Sequence, residues 1–281
     1  MLYRFLGLEE HMPQFAHLPL ILKPTGKGKL GKRDGAKFGI PVFPLSWEGQ
    51  TPDDSFVGFR EFGFDPQAVL NFVAFLGWNP GTEQEMFSLS ELADAFSIER
   101  IGKSGARFDF DKAKWFNQQY IIATDNATLA TKVKPYVQAL GADPTDAFLV
   151  AFCGLMKERV EFLPDFVEQG YYFFQPVKVY DNKVIRKKWK PDNADKFEAL
   201  RQMINGLDDF SASGLETAVK QFIHDNEMKM GEVFPILRVA MTGVMKGPSL
   251  FDMMALIGKE EVDNRLYEGY RECTEVHNSI A

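Results

Sequence analysis

Apolar residues fall at two kinds of spacing along this chain. From residue 65 onward they recur every three or four positions, the helical period, whereas before residue 60 short apolar runs are interrupted by glycine and proline. Asp65 is placed to cap a helix and Pro66 to take its first position; Val69, Val73 and Leu76 then share one face, and Gly77 closes it. Trp78-Asn79-Pro80-Gly81 reads as a turn, and Ser88 with Glu91 as a capping box. Asp109 or Asp111 opens a helix carrying Trp115, Phe116 and Tyr120, and Asp143-Pro144 opens one through Phe148, Phe152, Leu155 and Met156. Asp192 precedes Phe197, Leu200 and Ile204, with Gly206 as the stop, and Ser211 or Ser213 precedes Leu215, Val219 and Phe222. Gly247-Pro248 leads into Phe251, Met254 and Ile257, Gly258 ends that run, and the last helix carries Val262, Leu266 and Tyr270. The pattern predicts a helical array without a fixed repeat.

Ahead of it, Leu18 to Leu22 is an apolar run of strand length, read as a buried strand bounded by Pro24 and a glycine-rich loop. Residues 35–58 hold Gly35, Gly39, Pro41, Pro44, Gly49, Pro52 and Gly58, too many breakers for a regular helix. That stretch reads as a connector with Asp53-Asp54-Ser55 at its exposed tip.

Composition narrows the class. The chain has 281 residues, enough for two or three domains with a sizeable core. Its 26 phenylalanines are expected mostly inside, because exposed rings invite association. A net charge of −7 argues against non-specific coating of nucleic acid but leaves local basic patches open. Two exist: Lys23, Lys27, Lys29, Lys32, Arg33 and Lys37 against Asp34, and Lys183, Arg186, Lys187, Lys188 and Lys190 with no acid. Each reads equally as a phosphate-facing patch or a solvated surface run. Cys153 and Cys273 encode neither zinc site nor disulfide framework, and His11, His17, His224 and His277 form no ligand-spaced pair, so no metal site is expected. The start lacks a basic region followed by an apolar stretch, and no run of about 18 apolar residues occurs, so a cytoplasmic protein is expected.

The lysine-rich loop carries the sharpest chemistry. Gly26-Lys27-Gly28-Lys29-Leu30-Gly31-Lys32-Arg33 nearly matches a P-loop, but Arg33 stands where a Ser or Thr hydroxyl should hold magnesium. The residues after it, Asp34 to Pro41, read as unable to start the helix that a P-loop needs. A second reading has Lys29 and Lys32 closing over a triphosphate on a flexible loop. A third has an unstructured basic turn.

Further motifs set these residues in a wider pattern. His17-Leu18-Pro19 leading into Lys29-Leu30-Gly31-Lys32-Arg33 resembles the second signature of class I glutamyl-tRNA synthetases, a His-Leu-Pro strand followed by Lys-Leu-Ser-Lys-Arg. Ala68-Val69-Leu70-Asn71-Phe72 with Leu76-Gly77-Trp78, and Phe108-Asp109 with Lys112, Lys114-Trp115, Asn117 and Tyr120-Ile121, are similar to the family's next two helices. Gly231-Glu232-Val233, Leu237-Arg238, Ala240, Thr242-Gly243, Gly247-Pro248 and Leu256 to Glu260 resemble its C-terminal signature. The likeness covers essentially the whole chain in the family's order.

The resemblance implies a mainly α fold: a helical stem-contact domain followed by all-helical anticodon-binding domains, with a short β/loop remnant of the catalytic domain at the N-terminus. The implied boundaries are 1–45 for the tail of the catalytic domain, 46–125 for the stem-contact domain and 126–281 for the anticodon-binding region. Lys29 and Lys32 are implied as the catalytic loop lysines of glutamate adenylation, with Lys29, Gly31, Lys32 and Arg33 around ATP. The family has Ser where Gly31 stands, so one hydroxyl donor is missing and the loop gains freedom. Arg159, in Leu155-Met156-Lys157-Glu158-Arg159, takes the place of the arginine that separates glutamate from glutamine anticodons. A surface ion pair with Glu158 or Glu161 is the competing reading. Arg238 reads as either an RNA contact or a buried helix pair, and Trp115 and Tyr120 as core or stacking platforms. Lys187 and Lys188, with Trp189 interleaved, suit an RNA backbone, although the family supplies no role for them.

The expected function is therefore the tRNA-binding, anticodon-recognising portion of glutamate–tRNA ligase. ATP with Mg would be held mainly by a nucleotide-binding domain whose His-Ile-Gly-His-type motif this chain lacks. Alone, the chain is expected to be inactive, and to act as a monomer on tRNA for glutamate, with glutamate and ATP as partners of the full enzyme and no membrane. A free-standing tRNA-binding or regulatory protein derived from the synthetase is the alternative, and a P-loop NTPase a third.

Overall fold

A computed structural model describes residues 1–279 except Ala16, and the side chain of Asp53 lies outside the described residues. The fold is mainly α, as expected, and divides into two compact units, Met1–Tyr120 and Ile121–Ala281.

The first unit holds helices α1 (Leu2–Phe5), α2 (Lys32–Phe38), α3 (Phe59–Phe62), α4 (Pro66–Phe75) and α5 (Leu89–Ala95), and α6 (Phe110–Ala123) runs from it past the division at Tyr120. Strands β1 (Ile21–Leu22) and β2 (Ala106–Arg107) pair in parallel, Ile21 opposite Ala106. β1 is the strand expected at 18–22, but it is not buried: Leu18, Leu20 and Ile21 face solvent. Asp65 caps α4 by accepting the Gln67 N–H at 2.9 Å, and Ser88 and Glu91 close the expected capping box on α5. The buried face of α4 is Ala68, Asn71 and Phe72, with Val73 exposed, instead of the expected stripe of Val69, Val73 and Leu76. Asn71 decides this: its amide donates to the Glu85 carbonyl and accepts from the Phe87 N–H, both at 2.8 Å, so a polar residue anchors the buried side. Tyr120 donates its hydroxyl to the Phe87 carbonyl at 2.6 Å, which makes it an internal tie.

The second unit contains α7 (Asn126–Ala139), α8 (Asp146–Met156), α9 (Asp165–Gly170), α10 (Asn182–Lys188), α11 (Ala194–Asn205), α12 (Ala212–Asp225), α13 (Met230–Thr242), α14 (Leu250–Ile257) and α15 (Lys259–Asn278). One continuous apolar core, from Ile121 at the end of α6 to Val276, runs through all of them. Caps fall close to the expected positions: Thr145 for α8, Ser211 for α12 and Ser249 for α14. On α12 the buried stripe is Leu215, Val219 and Ile223, with Phe222 at its margin. Gly269 lets α15 approach α13, since a Cβ there would lie 2.5 Å from the Ala240 Cβ. Beside it Arg265, buried, donates to Glu261 at 2.6 Å and to the Met241 carbonyl at 2.9 Å. Of the 26 phenylalanines only Phe5, Phe15 and Phe96 are exposed, so the rings are mostly inside as expected. No helix among the described residues is long and apolar enough to cross a membrane.

Candidate functional site

The lysine loop is a tight hairpin. Leu30 N–H donates to the Ile21 carbonyl at 2.8 Å and Lys23 N–H to the Gly28 carbonyl at 3.1 Å. The chain reverses through Gly26 and Gly28 at φ of 78° and 106°, a left-handed geometry that glycine adopts without strain. From β2, Arg107 pins the base by donating to the carbonyls of Lys23 and Pro24 at 3.1 and 2.9 Å.

A helix follows the hairpin directly, which corrects the expectation that Asp34 to Pro41 could not start one. Gly31 is the N-cap of α2, and the Asp34 carboxylate reaches back to accept the Gly31 N–H at 2.7 Å, one half of a capping box. The breakers that argued against a helix serve it instead. Gly35 is buried where a Cβ would sit 3.0 Å from Val42, and Gly39 takes the left-handed stop. Asp34 also accepts from Lys23 at 2.7 Å; that bond first, and the Gly31 amide second, hold its carboxyl below the usual carboxylate range. One lysine of the basic cluster is thus paired inside the hairpin.

Lys29, Lys32 and Arg33 are all exposed. Lys32 places its ammonium 5.8 Å from the Phe43 ring centre, and Lys32 and Arg33 line a cavity of about 810 Å³ with Phe43, Trp47 and Phe56. Lys29 is not among its lining residues.

In the second unit, Arg159 stands exposed just beyond α8 and lines a cavity of about 720 Å³ with Glu158, Gln169, Tyr171, Lys246 and Gly247. No ion pair holds Arg159 among the described residues. Arg238 sits behind this wall: its guanidinium, partly buried, donates to the Pro248 carbonyl at 2.5 Å and ties the 243–249 loop to α13. Burial pulls it below its ordinary pKa, and Arg159 nearby acts in the same direction. Tyr172 is fully buried, with its pKa pushed up to about 12 by burial. Gly247, at φ 147°, must be glycine, because a Cβ would lie 2.7 Å from the Tyr172 Oη. Gln169, Tyr171 and Lys246 were missed in the sequence reading. The dipeptide Gly247-Pro248 marked their neighbourhood, but nothing in sequence places residues 169 and 246 together.

The run at 183–190 proves to be α10, capped by Asp181 accepting from the Lys183 and Val184 amides. Lys187 is exposed and Lys188 partly so, in a last helical turn where positive charge suits the helix dipole. Trp189 is no stacking platform. It is buried with its ring 4.9 Å from Phe197 and 5.9 Å from Tyr270, which corrects the reading of an aromatic interleaved for RNA. Lys190 pairs with Glu232 at 2.5 Å. No group of three or more His, Cys, Asp or Glu that could hold a metal occurs among the described residues.

Among the described residues the second unit is a body of nine helices, with Arg159 exposed at an open cavity beside α8 and the 243–249 loop. The family model of the anticodon binding domain matches residues 128–270, and the chain belongs to that family. Over 266 residues, 95% of its length, it is 43% identical to the glutamate–tRNA ligase of Porphyromonas gingivalis and 44% identical to that of Christiangramia forsetii. The chain spans about half the length of these curated relatives, 53% and 52%. Among solved structures, a glutamate tRNA ligase from Elizabethkingia meningosepticum, crystallised in complex with its amino acid, superposes with a TM-score of 0.89 at 38% identity. The glutamate-tRNA synthetase of Elizabethkingia anophelis superposes with 0.85 at 37%. Each alignment covers 96% of this chain and 53% of the other. The resemblance drawn from the motifs is borne out.

Proposed function

We propose that this chain is the tRNA-binding and anticodon-recognising portion of a glutamate–tRNA ligase, an enzyme that activates glutamate with ATP and transfers it to tRNA. The observation that carries this reading is 43–44% identity to ligases of that name over 95% of the chain, with the anticodon-binding family matched at 128–270. In this reading residues 1–45 close the catalytic domain, 46–125 meet the tRNA stem and 126–281 read the anticodon.

Each side chain then has a physical task. Arg159, solvent-facing and free of an ion pair, offers paired N–H donors to a base edge. Arg238 shapes the wall of that cavity through Pro248. Lys187 and Lys188 face phosphate oxygens. Lys29 and Lys32, with Gly31 and Arg33, would lie over the triphosphate of ATP, neutralising charge at the α-phosphate as the glutamate carboxylate attacks and pyrophosphate leaves, while Mg would be held mainly by the nucleotide-binding domain of the full enzyme. The setting is cytoplasmic and the chain a monomer.

Filter binding tests the proposal. The 281-residue chain is expected to retain tRNA for glutamate more tightly than an unrelated tRNA. Its affinity should fall at least about 10-fold between roughly 50 and 200 mM salt, as phosphate contacts release counterions. Equal weak binding to both tRNAs contradicts the reading.

A further inference from the structure

Between α2 and α3 the chain folds into a hairpin held at three levels. Trp47 exchanges two backbone hydrogen bonds with Phe56, at 3.0 and 2.9 Å. At the tip, Gly49 N–H donates to the Ser55 hydroxyl at 3.1 Å, and that hydroxyl donates to the Thr51 carbonyl at 3.0 Å. At the base, Ser46 donates its N–H to Glu61 at 2.7 Å and accepts from the Gly58 N–H at 2.8 Å. Gly58 lies so close to Leu45 that a Cβ there would sit 2.1 Å from the Leu45 carbonyl carbon. On this fixed backbone Leu45, Trp47 and Val57 leave 52%, 62% and 52% of their surface in solvent, whereas Trp78 and Trp189 are buried. The exposed apolar side chains are thus presented on a backbone that is already set.

One side of the hairpin borders a groove of about 420 Å³ whose walls are Ile40, Trp47, Phe56, Val57 and Phe62. Among the described residues Glu48 is the one charged side chain that lines it, and neither Lys32 nor Arg33 does. The nearby cations are turned elsewhere: Lys37 places its ammonium 6.0 Å from the Phe38 ring centre, and Arg60 donates to Glu61 at 2.6 Å. In sequence, residues 45–59 carry Glu48, Asp53 and Asp54 and no lysine or arginine. An RNA strand here would set phosphates against carboxylates with no cation to meet them. A second copy docked face to face would set one acidic hairpin against another. Apolar walls under a negative rim instead match a protein segment of opposite charge. We propose that this groove docks a short protein segment in which apolar side chains, entering between Trp47 and Phe62, are flanked by lysine or arginine that meets Glu48. No residue of the groove has a task in tRNA or ATP binding, so peptide docking and that reading fail separately.

Nuclear magnetic resonance of the full 281-residue chain tests this through the indole N–H signal of Trp47, assigned by its loss in Trp47→Phe. Three peptides are titrated: Lys-Leu-Phe-Leu-Lys, its acidic counterpart Glu-Leu-Phe-Leu-Glu, and Lys-Ser-Ser-Ser-Lys, which keeps the charge without the apolar side chains. The first should shift the Trp47 signal saturably, the second should need about 10-fold more peptide, and the third should leave the signal in place. Glu48→Lys, at an exposed position, should reverse the order of the first two. Val57→Asp should weaken binding of the first by about 10-fold or more with an unchanged thermal melt. The proposal is overturned if no peptide moves the signal, if the serine peptide moves it as far as the first, or if the order survives in Glu48→Lys. It is overturned in favour of a second copy if the signal moves with protein concentration alone, and in favour of RNA if single-stranded tetrauridylate displaces the first peptide.

Discussion

Gly31 sits at the N-cap of α2 with its amide on the Asp34 carboxylate, so its position is set by helix geometry as well as by the loop. A serine there fits, since the nearest atom to an added Cβ is the Asp34 Oδ2 at 3.4 Å, and its hydroxyl would complete the capping box. Gly31→Ser is therefore expected to stabilise the chain by a few tenths of a kcal/mol, roughly, with slower hydrogen exchange in Lys32–Phe38; faster exchange there would refute the capping role. Glu61 makes a second residue-scale claim. The Ser46 amide, and after it Arg60, holds its carboxyl at about 2 against an ordinary 4.5. A carboxyl with a depressed folded-state pKa contributes its stability above the ordinary value and loses it as pH falls toward the folded one. Protection of the Ser46 amide from exchange should therefore hold above pH 4.5 and decline toward about 2, a window absent in Glu61→Gln. The lysines and Arg159 were legible in sequence because their motif spacings are local. Asp34 as a helix cap was not, because Gly35 and Gly39 read as breakers until Val42 and the α2 stop gave them positions.

At the scale of elements, α13 and α15 meet where Gly269 faces Ala240, and the contact has no room for a methyl group. Gly269→Ala should destabilise by about 1–3 kcal/mol in urea unfolding through overpacking. Gly231→Ala, on the same α13 but facing open space, should cost nothing and gain from helix propensity. Equal effects of the two substitutions would show that the crossing is not close-packed. Element starts were readable from caps such as Asp65, Ser88 and Ser211, whose chemistry lies within three residues of the helix they open. Burial faces were less so. Asn71 took the core side of α4 because its partners, Glu85 and Phe87, come from a segment that periodicity does not see. Trp189 stands in a basic run that suits an RNA backbone, but it follows Ile185 by one helical turn at the end of α10, and the two go inward together. The short helices α3 and α9 gave too little pattern, and the fourteen-residue α7 carries no signal that the sequence analysis used.

For the whole molecule, net charge of −7 leaves RNA binding to local cations, and the described structure sorts them. Lys23 and Lys190 are spent on carboxylates, whereas Lys29, Lys32, Arg33, Arg159 and Lys187 face solvent. The mainly α class was legible because helical periodicity persists over two hundred residues; the cavity around Arg159 was not, because it joins segments some ninety positions apart. The central claim is that this cavity reads an anticodon. Its most direct test compares binding of tRNA for glutamate with the same tRNA carrying a glutamine anticodon, for the wild type and Arg159→Ala. The wild type should prefer the glutamate anticodon by about 1–3 kcal/mol, the usual worth of a paired arginine–base contact, and Arg159→Ala should erase the preference while retaining most of the salt-dependent affinity. An unchanged preference in Arg159→Ala, or none in the wild type, contradicts the account.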